Sequence, residues 1–396
     1  MRLLIVSHAI HYMHRGCLYA YGPYGREVEI WADLFPRVVI AAPLRHETPP
    51  DDCVALQRSN ISVAPQLETG GDSLWAKVIQ IVLLPLHVWK LCLAMRHADA
   101  IHVRCPGNLG VLGVLLAPLF SKRIVAKYAG QWESERPLPL GFRLQQVILK
   151  SFWWRDGVVT VYGEWPNQPK QIVPFFTSMM TSDQVRRSIQ VAARKSLGRP
   201  TQFLYSGRLA PLKGVDLLLS ALRLTIDSGV AAELTILGDG PERPHLEELS
   251  RELGLQPYVT FVGAVPYDDV MFWYERAHIL VLASSSEGWP KVIAEAMCHG
   301  VVCIGTDTGL MPWMLHNRGR TFPEADVGAL AATMRELSNG PEQYLKLSTN
   351  AATWAQQYSL EGLRDALRTL LSQSWNIAIR CESHSPETAG TAAGAR

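Results

Sequence analysis

Two glutamates eight residues apart offer the clearest chemistry in this chain: Glu287 and Glu295, in the run Glu287-Gly288-Trp289-Pro290-Lys291-Val292-Ile293-Ala294-Glu295-Ala296-Met297. Pro290 suits the first position of a helix, where its missing N–H costs nothing, and the apolar residues that follow carry the helix onward. Glu287 then precedes the helix and Glu295 lies inside it, at most roughly 12 Å apart at helical rise. The amides of Gly288 to Lys291 fall between the carboxylates at a helix N-terminus, where N–H groups and the dipole favour oxygen-rich or anionic ligands. Carboxylates that accept from hydroxyls, with amides between them, suit an activated sugar. The alternative is that Glu287 caps the helix and Glu295 is a solvated helical glutamate.

Upstream, Ser206-Gly207-Arg208-Leu209-Ala210-Pro211-Leu212-Lys213-Gly214 follows the apolar run Phe203-Leu204-Tyr205 and reads as a strand end and a turn. Arg208 supplies a planar fork and Lys213 a point charge, both suited to a diphosphate, and flanking glycines let backbone approach a ligand closely. Either cation alone reads equally as a surface charge.

These residues, with Leu237-Gly238-Asp239-Gly240-Pro241-Glu242-Arg243, Val259 to Val265 and Glu287 to Gly300, make the chain resemble a retaining glycosyltransferase of family 4. The resemblance implies the GT-B fold, in which two Rossmann-like, doubly wound parallel-sheet α/β domains face a cleft. It assigns Arg208 and Lys213 to the donor diphosphate, Glu287 to the donor sugar and Glu295 to the ribose. Gly207, Gly238, Gly263, Gly288, Trp289, Pro290 and Lys291 complete the expected donor site, with Arg208, Lys213 and Glu287 as the catalytic set. In the family's first loop a glycine pair is usual, whereas Tyr21-Gly22-Pro23-Tyr24-Gly25 stands here. Where many members carry a catalytic His-Gly pair at a strand end, this chain has Tyr128-Ala129-Gly130, so no catalytic histidine is assigned. His8, His11, Arg104 and Glu133 are candidate acceptor or cleft residues. Gly305-Thr306-Asp307-Thr308-Gly309 resembles a turn that in relatives carries paired glycines and then a Glu, whereas this chain has Leu310 and Trp313, which predicts altered donor contacts there.

The 396 residues exceed one ordinary core, and 48% hydrophobic content supports two. Expected units are residues 1–180, on the acceptor side, and 200–345, binding the nucleotide sugar, with a boundary at 178–200. A helix within 346–373 is expected to cross back to the first domain, and 374–396, rich in Ser, Thr, Gly and Ala, to be a disordered tail. Net charge is +2, but residues 1–200 hold 23 Lys+Arg and 14 Asp+Glu (+9), leaving 15 and 22 (−7) for the remainder. A basic first half points to phospholipid headgroups or a lipid pyrophosphate, unless it is a solvated face. Nucleic acid is not implied, because no basic-aromatic recognition motif accompanies the charge. The seven cysteines form no CxxC pair, which predicts reduced thiols and a cytosolic setting.

In chain order, Arg2–Ser7 reads as a buried strand and His8–Gly25 as a loop. His8, His11 and His14 recur every three residues, yet no nearby carboxylate or cysteine completes a metal set. Val78–Trp89 is twelve residues without a charge, too short alone to span a bilayer. Trp75, Lys77, Trp89 and Lys90 around it suit a membrane interface, against the alternative of an ordinary helix packed on the sheet. Further strands are expected near 38–42, 61–64, 100–104, 124–128, 157–162 and 171–174, then at 203–205, 233–237, 259–262, 279–282 and 301–304. Strands alternating with helices predict parallel sheets, with ligand beyond the strands' carboxyl ends.

The expected reaction is hexosyl or related transfer from a nucleotide-diphosphate sugar, the co-substrate, to a hydroxyl on a lipid-linked or cell-envelope or exopolysaccharide precursor. It needs no other cofactor, and with no Asp-x-Asp in the sequence, no divalent metal held that way. The expected setting is the cytoplasm or the inner face of its membrane. Alternatives are a catalytically impaired pseudo-enzyme that partners another transferase at the membrane, or another GT-B enzyme such as a nucleotide-sugar epimerase or a phosphorylase.

Overall fold

The computed structural model describes residues 1–68, 73–133 and 137–379. Strands of the first sheet are β1 (Arg2–Val6), β2 (His11–His14), β3 (Cys17–Tyr21), β4 (Arg37–Arg45), β5 (Cys53–Ala55), β6 (Ile61–Gln66), β7 (Ala100–Cys105), β8 (Ile124–Tyr128), β9 (Val158–Tyr162) and β10 (Ile172–Phe175). Those of the second are β11 (Thr201–Ser206), β12 (Ala232–Leu237), β13 (Val259–Gly263), β14 (Ile279–Leu282), β15 (Val302–Thr306) and β16 (Gly319–Phe322). By contact the chain forms two compact units. Among the described residues the first holds 1–68, 73–127, 140–159 and 364–379; the second holds 128–133, 137–139 and 160–363.

In the first unit the sheet runs β9-β8-β7-β1-β4-β2-β3-β5, with β6 beside β4. Leu3 to Val6 are at most 1% exposed, as a strand covered by helices on both faces requires. Residues 8–25, expected as a loop, instead contain the antiparallel hairpin β2–β3 and the start of the helix Gly22–Leu34. The two-residue turn Arg15-Gly16 has φ of 50° and 81°, both in the left-handed region that matches strand twist in a tight hairpin. Alternation in so short a run is a weak signal, and Tyr and His obscured it. The uncharged run 78–89 sits within a 22-residue helix, Leu74–Met95, whose Val78–Met95 portion is long and apolar enough to cross a membrane. The twelve-residue limit read from sequence therefore understates it, because Leu91 to Met95 extend the apolar length beyond Lys90.

The second sheet, β13-β12-β11-β14-β15-β16, is parallel throughout. Phe203 to Tyr205 and Ile279 to Leu282 are essentially buried and form the centre of its core. Strand β16 and the helices Met311–Leu315 and Val327–Asn339 have no counterpart in the sequence reading. The last helix, Leu360–Trp375, runs past the expected start of the tail at 374, and Trp375 lies 6.3 Å from the Phe35 ring. Residues 380–396, the rest of that expected tail, and Cys381 lie outside the described residues.

Three buried histidines make the fold acid-sensitive. Burial lowers His11 to about 4, His102 to about 3 and His299 to about 4. Because each folded pKa lies below the unfolded value, the unfolded chain binds more protons between about pH 6.5 and 4, so stability is full above that window and falls as pH drops through it. We expect each histidine to remove about 1 kcal/mol by pH 5.5. Urea midpoints at pH 7.5, 6.5 and 5.5 measure this, and a flat profile would contradict it.

Candidate functional site

Parallel pairing places the loops after β11, β12, β13, β14 and β15 along one edge of the second sheet. Backbone hydrogen bonds join them. Gly207 N donates to Leu237 O (3.0 Å), Gly238 N to Gly263 O (2.7 Å), Leu209 N to Asp239 O (2.9 Å) and Ser285 N to Leu212 O (3.0 Å). Gly238 has φ of 122°, and a Cβ there would collide with the Gly207 carbonyl oxygen. Three of the predicted donor-site glycines, Gly207, Gly238 and Gly263, are thus in direct backbone succession.

The turn Pro211–Lys213 ends at Gly214, which has φ of 63° and lies against the Ala283 backbone. This arrangement delivers Lys213 to the loop after β14. Its ammonium stands 2.6 Å from a Glu287 carboxylate oxygen, with the side chains 29% and 17% exposed. The capping alternative for Glu287 does not hold, since the helix Lys291–Cys298 has no side-chain cap and Pro290 itself occupies the cap position. Pro290 was expected one position later, inside the helix. Arg208 is exposed at the same edge, and its carbonyl accepts from the Tyr205 hydroxyl at 3.0 Å. Burial, then the neighbouring Glu287, raises the Tyr205 phenol and keeps it a donor.

Glu295 is 6% exposed, so it is no solvated helical glutamate. Tyr274 and Tyr267 hydroxyls donate to it at 2.9 and 3.4 Å. Burial and then Glu295 push the Tyr274 phenol well up, which keeps its proton in that hydrogen bond. Tyr267 and Tyr274 lie seven residues apart on one face of the helix Tyr267–Arg276. That spacing was visible in the sequence, but nothing there pointed the face at Glu295.

Trp289 is 7% exposed and packs among rings: Tyr162 at 5.7 Å, Tyr358 at 5.8 Å, Trp354 at 6.0 Å and Trp313 at 6.2 Å. Trp313, singled out as a departure from the resemblance, belongs to this cluster, and Leu310 is buried against Gly163. Gly288 fits under the segment 129–130, where a Cβ would stand 2.9 Å from the Ala129 oxygen and 3.3 Å from Gly130. In the same segment, Glu133 accepts from Gln168 Nε2 at 2.7 Å.

The other candidates belong to the first unit. The His8 ring occupies the space where a Cβ on Gly107 would fall, and His11 is buried with Nδ1 3.0 Å from Ala9 O. Arg104 pairs with Glu27 at 3.1 Å, and Lys127 pairs with the same carboxylate at 2.9 Å. Burial opposes ionisation of Glu27, but Lys127 and Arg104 outweigh it and hold the carboxyl far below its usual range. Sequence reasoning missed Glu27 and Lys127, whose partners are 77 and 100 residues distant. Among the described residues no group of three or more His, Cys, Asp or Glu side chains could hold a metal ion.

Residues 187–354 match the family model described as Glycosyl transferases group 1. The D-inositol 3-phosphate glycosyltransferase of Streptomyces coelicolor is 28% identical over 183 residues, covering 43% of this chain and 40% of that protein. The chain spans about half the length, or less, of the curated relatives it matches, 47%, 40% and 52% in three cases. Sucrose-phosphate synthase from Thermosynechococcus elongatus superposes with a TM-score of 0.68 at 20% identity, over 95% of this chain and 99% of that one. HepE of Anabaena, in complex with UDP-glucose, does so at 0.66 and 15% identity, over 94% and 100%. The fold is GT-B, as the sequence resemblance implied.

Two expectations follow from this geometry. Gly238→Ala loses more stability than Gly229→Ala, which shares a positive φ of 89° but meets nothing within 4 Å. Strain alone is worth about 1–3 kcal/mol, and only Gly238 adds a backbone collision. Tyr274→Phe costs about 1.5–3 kcal/mol by removing a donor from a buried carboxylate. Chemical denaturation of the variants measures both, and equal losses at the two glycines would refute the first.

Proposed function

We propose that this chain is a retaining glycosyltransferase of family 4 that moves a sugar from a nucleotide-diphosphate sugar to a hydroxyl on a glycan or lipid-linked acceptor of the cell envelope or an exopolysaccharide. The observation that carries this reading is the Lys213–Glu287 pair at 2.6 Å, on a sheet edge inside the matched residues 187–354. It couples the place where leaving-group charge develops to a carboxylate able to hold sugar hydroxyls. Arg208 and the amides of the 288–291 loop supply further donors.

In the reaction, the bond from the anomeric carbon to the diphosphate oxygen breaks, and Arg208 and Lys213 stabilise the charge that develops there. The acceptor oxygen bonds to the same face of the anomeric carbon, and its proton passes to the departing diphosphate oxygen. Charge neutralisation is thereby assigned to side chains and amides, without a metal. Glu287 orients the sugar. Glu295, fixed by Tyr274, presents its carboxylate for the ribose. A structural neighbour bound to UDP-glucose supports testing uridine donors first. The proposed setting is the cytoplasm, with acceptor drawn from the inner membrane face.

A second reading has its own observation. Ala129 and Gly130 press on Gly288 at the strand end where the family resemblance would place His-Gly. A chain that binds donor without transferring it would act as a pseudo-enzyme. Calorimetric titration with UDP-, GDP- and ADP-sugars tests the first reading. We expect one donor to bind, and Arg208→Ala or Lys213→Ala to weaken it about 10- to 100-fold, as loss of a charged hydrogen bond of about 1.5–3 kcal/mol predicts. Product analysis should show a retained anomer. Affinity unchanged in both variants would defeat the site, and tight binding with no turnover on supplied acceptors would favour the pseudo-enzyme.

A further inference from the structure

We propose that the first unit docks on an anionic phospholipid surface through the outer face of the helices Leu74–Met95, Asn108–Phe120 and Leu140–Lys150 and the turn Phe152–Trp154. The helices adjoin, which makes their outer sides one surface. Asn108 Nδ2 donates to Gln80 Oε1 at 3.4 Å, Trp153 Nε1 to Leu115 O at 3.0 Å and Trp154 Nε1 to Val114 O at 2.7 Å. That surface is apolar to a degree water does not favour. Trp75 is 77% exposed, Ile81 71%, Val82 69%, Trp89 58%, Leu119 63% and Phe152 73%. Soluble surfaces rarely gather so many large apolar side chains in one patch.

Charge identifies the occupant. Residues 74–95, 108–123 and 137–155 contain no Asp or Glu, whereas Lys90, Lys122, Arg123, Arg143, Lys150 and Arg155 lie among them, and Asp156 at the edge pairs with Arg155 at 3.5 Å. Arg155 stacks on the Phe152 ring at 3.8 Å, so a cation and an aromatic ring occupy one spot at the rim. Exposed aliphatics, tryptophans at the margin and cations in excess of carboxylates match the acyl, interfacial and headgroup layers of an anionic bilayer. A second copy fits worse. An isologous contact would set these cations against themselves with only Asp156, at the edge of the patch, to offset them.

The face lies on the bilayer and does not cross it. Val78–Met95 has the length and composition of a span, but Leu91 and Met95 are wholly buried in the first unit's core and hold the helix to it. A cavity within the face, lined by Ile81, Leu84, Val111 and Leu112, offers apolar depth at the same surface. None of these residues belongs to the proposed donor site, so this docking stands or falls apart from the transfer reaction.

The test is co-sedimentation of the full chain with vesicles of phosphatidylcholine alone and of phosphatidylcholine containing about one third phosphatidylglycerol. We expect wild type to prefer the anionic vesicles about tenfold or more and to be released by rising sodium chloride. Ile81→Asp with Val82→Asp, and separately Arg143→Glu with Arg155→Glu, should each lower that binding about tenfold or more, with unfolding curves and donor binding like wild type. If the apolar variant fails to fold, the charge variant decides. No binding by wild type, or wild-type binding by folded variants, would overturn the proposal. So would a lipid-free dimer that Ile81→Asp with Val82→Asp dissociates, which would assign the face to a second copy.

Discussion

Parallel pairing of β11 with β12 on one side and β14 on the other is the constraint on which the candidate site depends. In a parallel sheet every strand ends on the same edge, so the loops 206–214, 237–243 and 283–290 emerge together although the chain separates them by tens of residues. Their approach is closer than side chains would permit. Gly238 meets Gly207 backbone to backbone, and Gly214 meets Ala283. Those contacts bring Lys213 to Glu287, and a one-residue shift of either loop would part them.

Two of the buried carboxylates outside that pair, Glu27 and Glu295, are handled by different physics. Glu27 is kept ionised by two cations, Lys127 and Arg104, whose attraction exceeds the desolvation penalty. Glu295 instead accepts from two tyrosine hydroxyls. Both hydroxyls are directional donors that fix the orientation of the Glu295 carboxylate.

Surface and core follow separate rules in the first unit. β1, β7 and β8 are buried as helix-covered strands must be, yet the helix Leu74–Met95 continues the same apolar composition out to solvent. Mean hydropathy cannot tell these apart, because an apolar side chain carries the same transfer free energy whether the fold buries it or leaves it exposed. Exposure in the folded chain makes the distinction, with Leu91 and Met95 inside and Ile81 and Val82 outside.

The sequence by itself determined the alternation of strand and helix, the parallel sheet of the second unit and the residues of its edge, since period, punctuation and the Arg208, Lys213, Glu287 and Glu295 spacings are local properties of the chain. It also placed β8 and β14 at the residues the structure shows. The β2–β3 hairpin was not legible, because four or five residues with His and Tyr on both faces carry no clear alternation. Nor were the short helix Met311–Leu315 and the strand β16, whose formation rests on neighbours and not on propensity. Only the tertiary structure decided that Glu287 pairs with Lys213 and caps nothing, that Glu295 is buried beneath Tyr274, and that Arg104 is committed to Glu27. Each of these is a meeting of residues far apart in sequence, and the distance between such residues is fixed by packing, on which composition and spacing are silent.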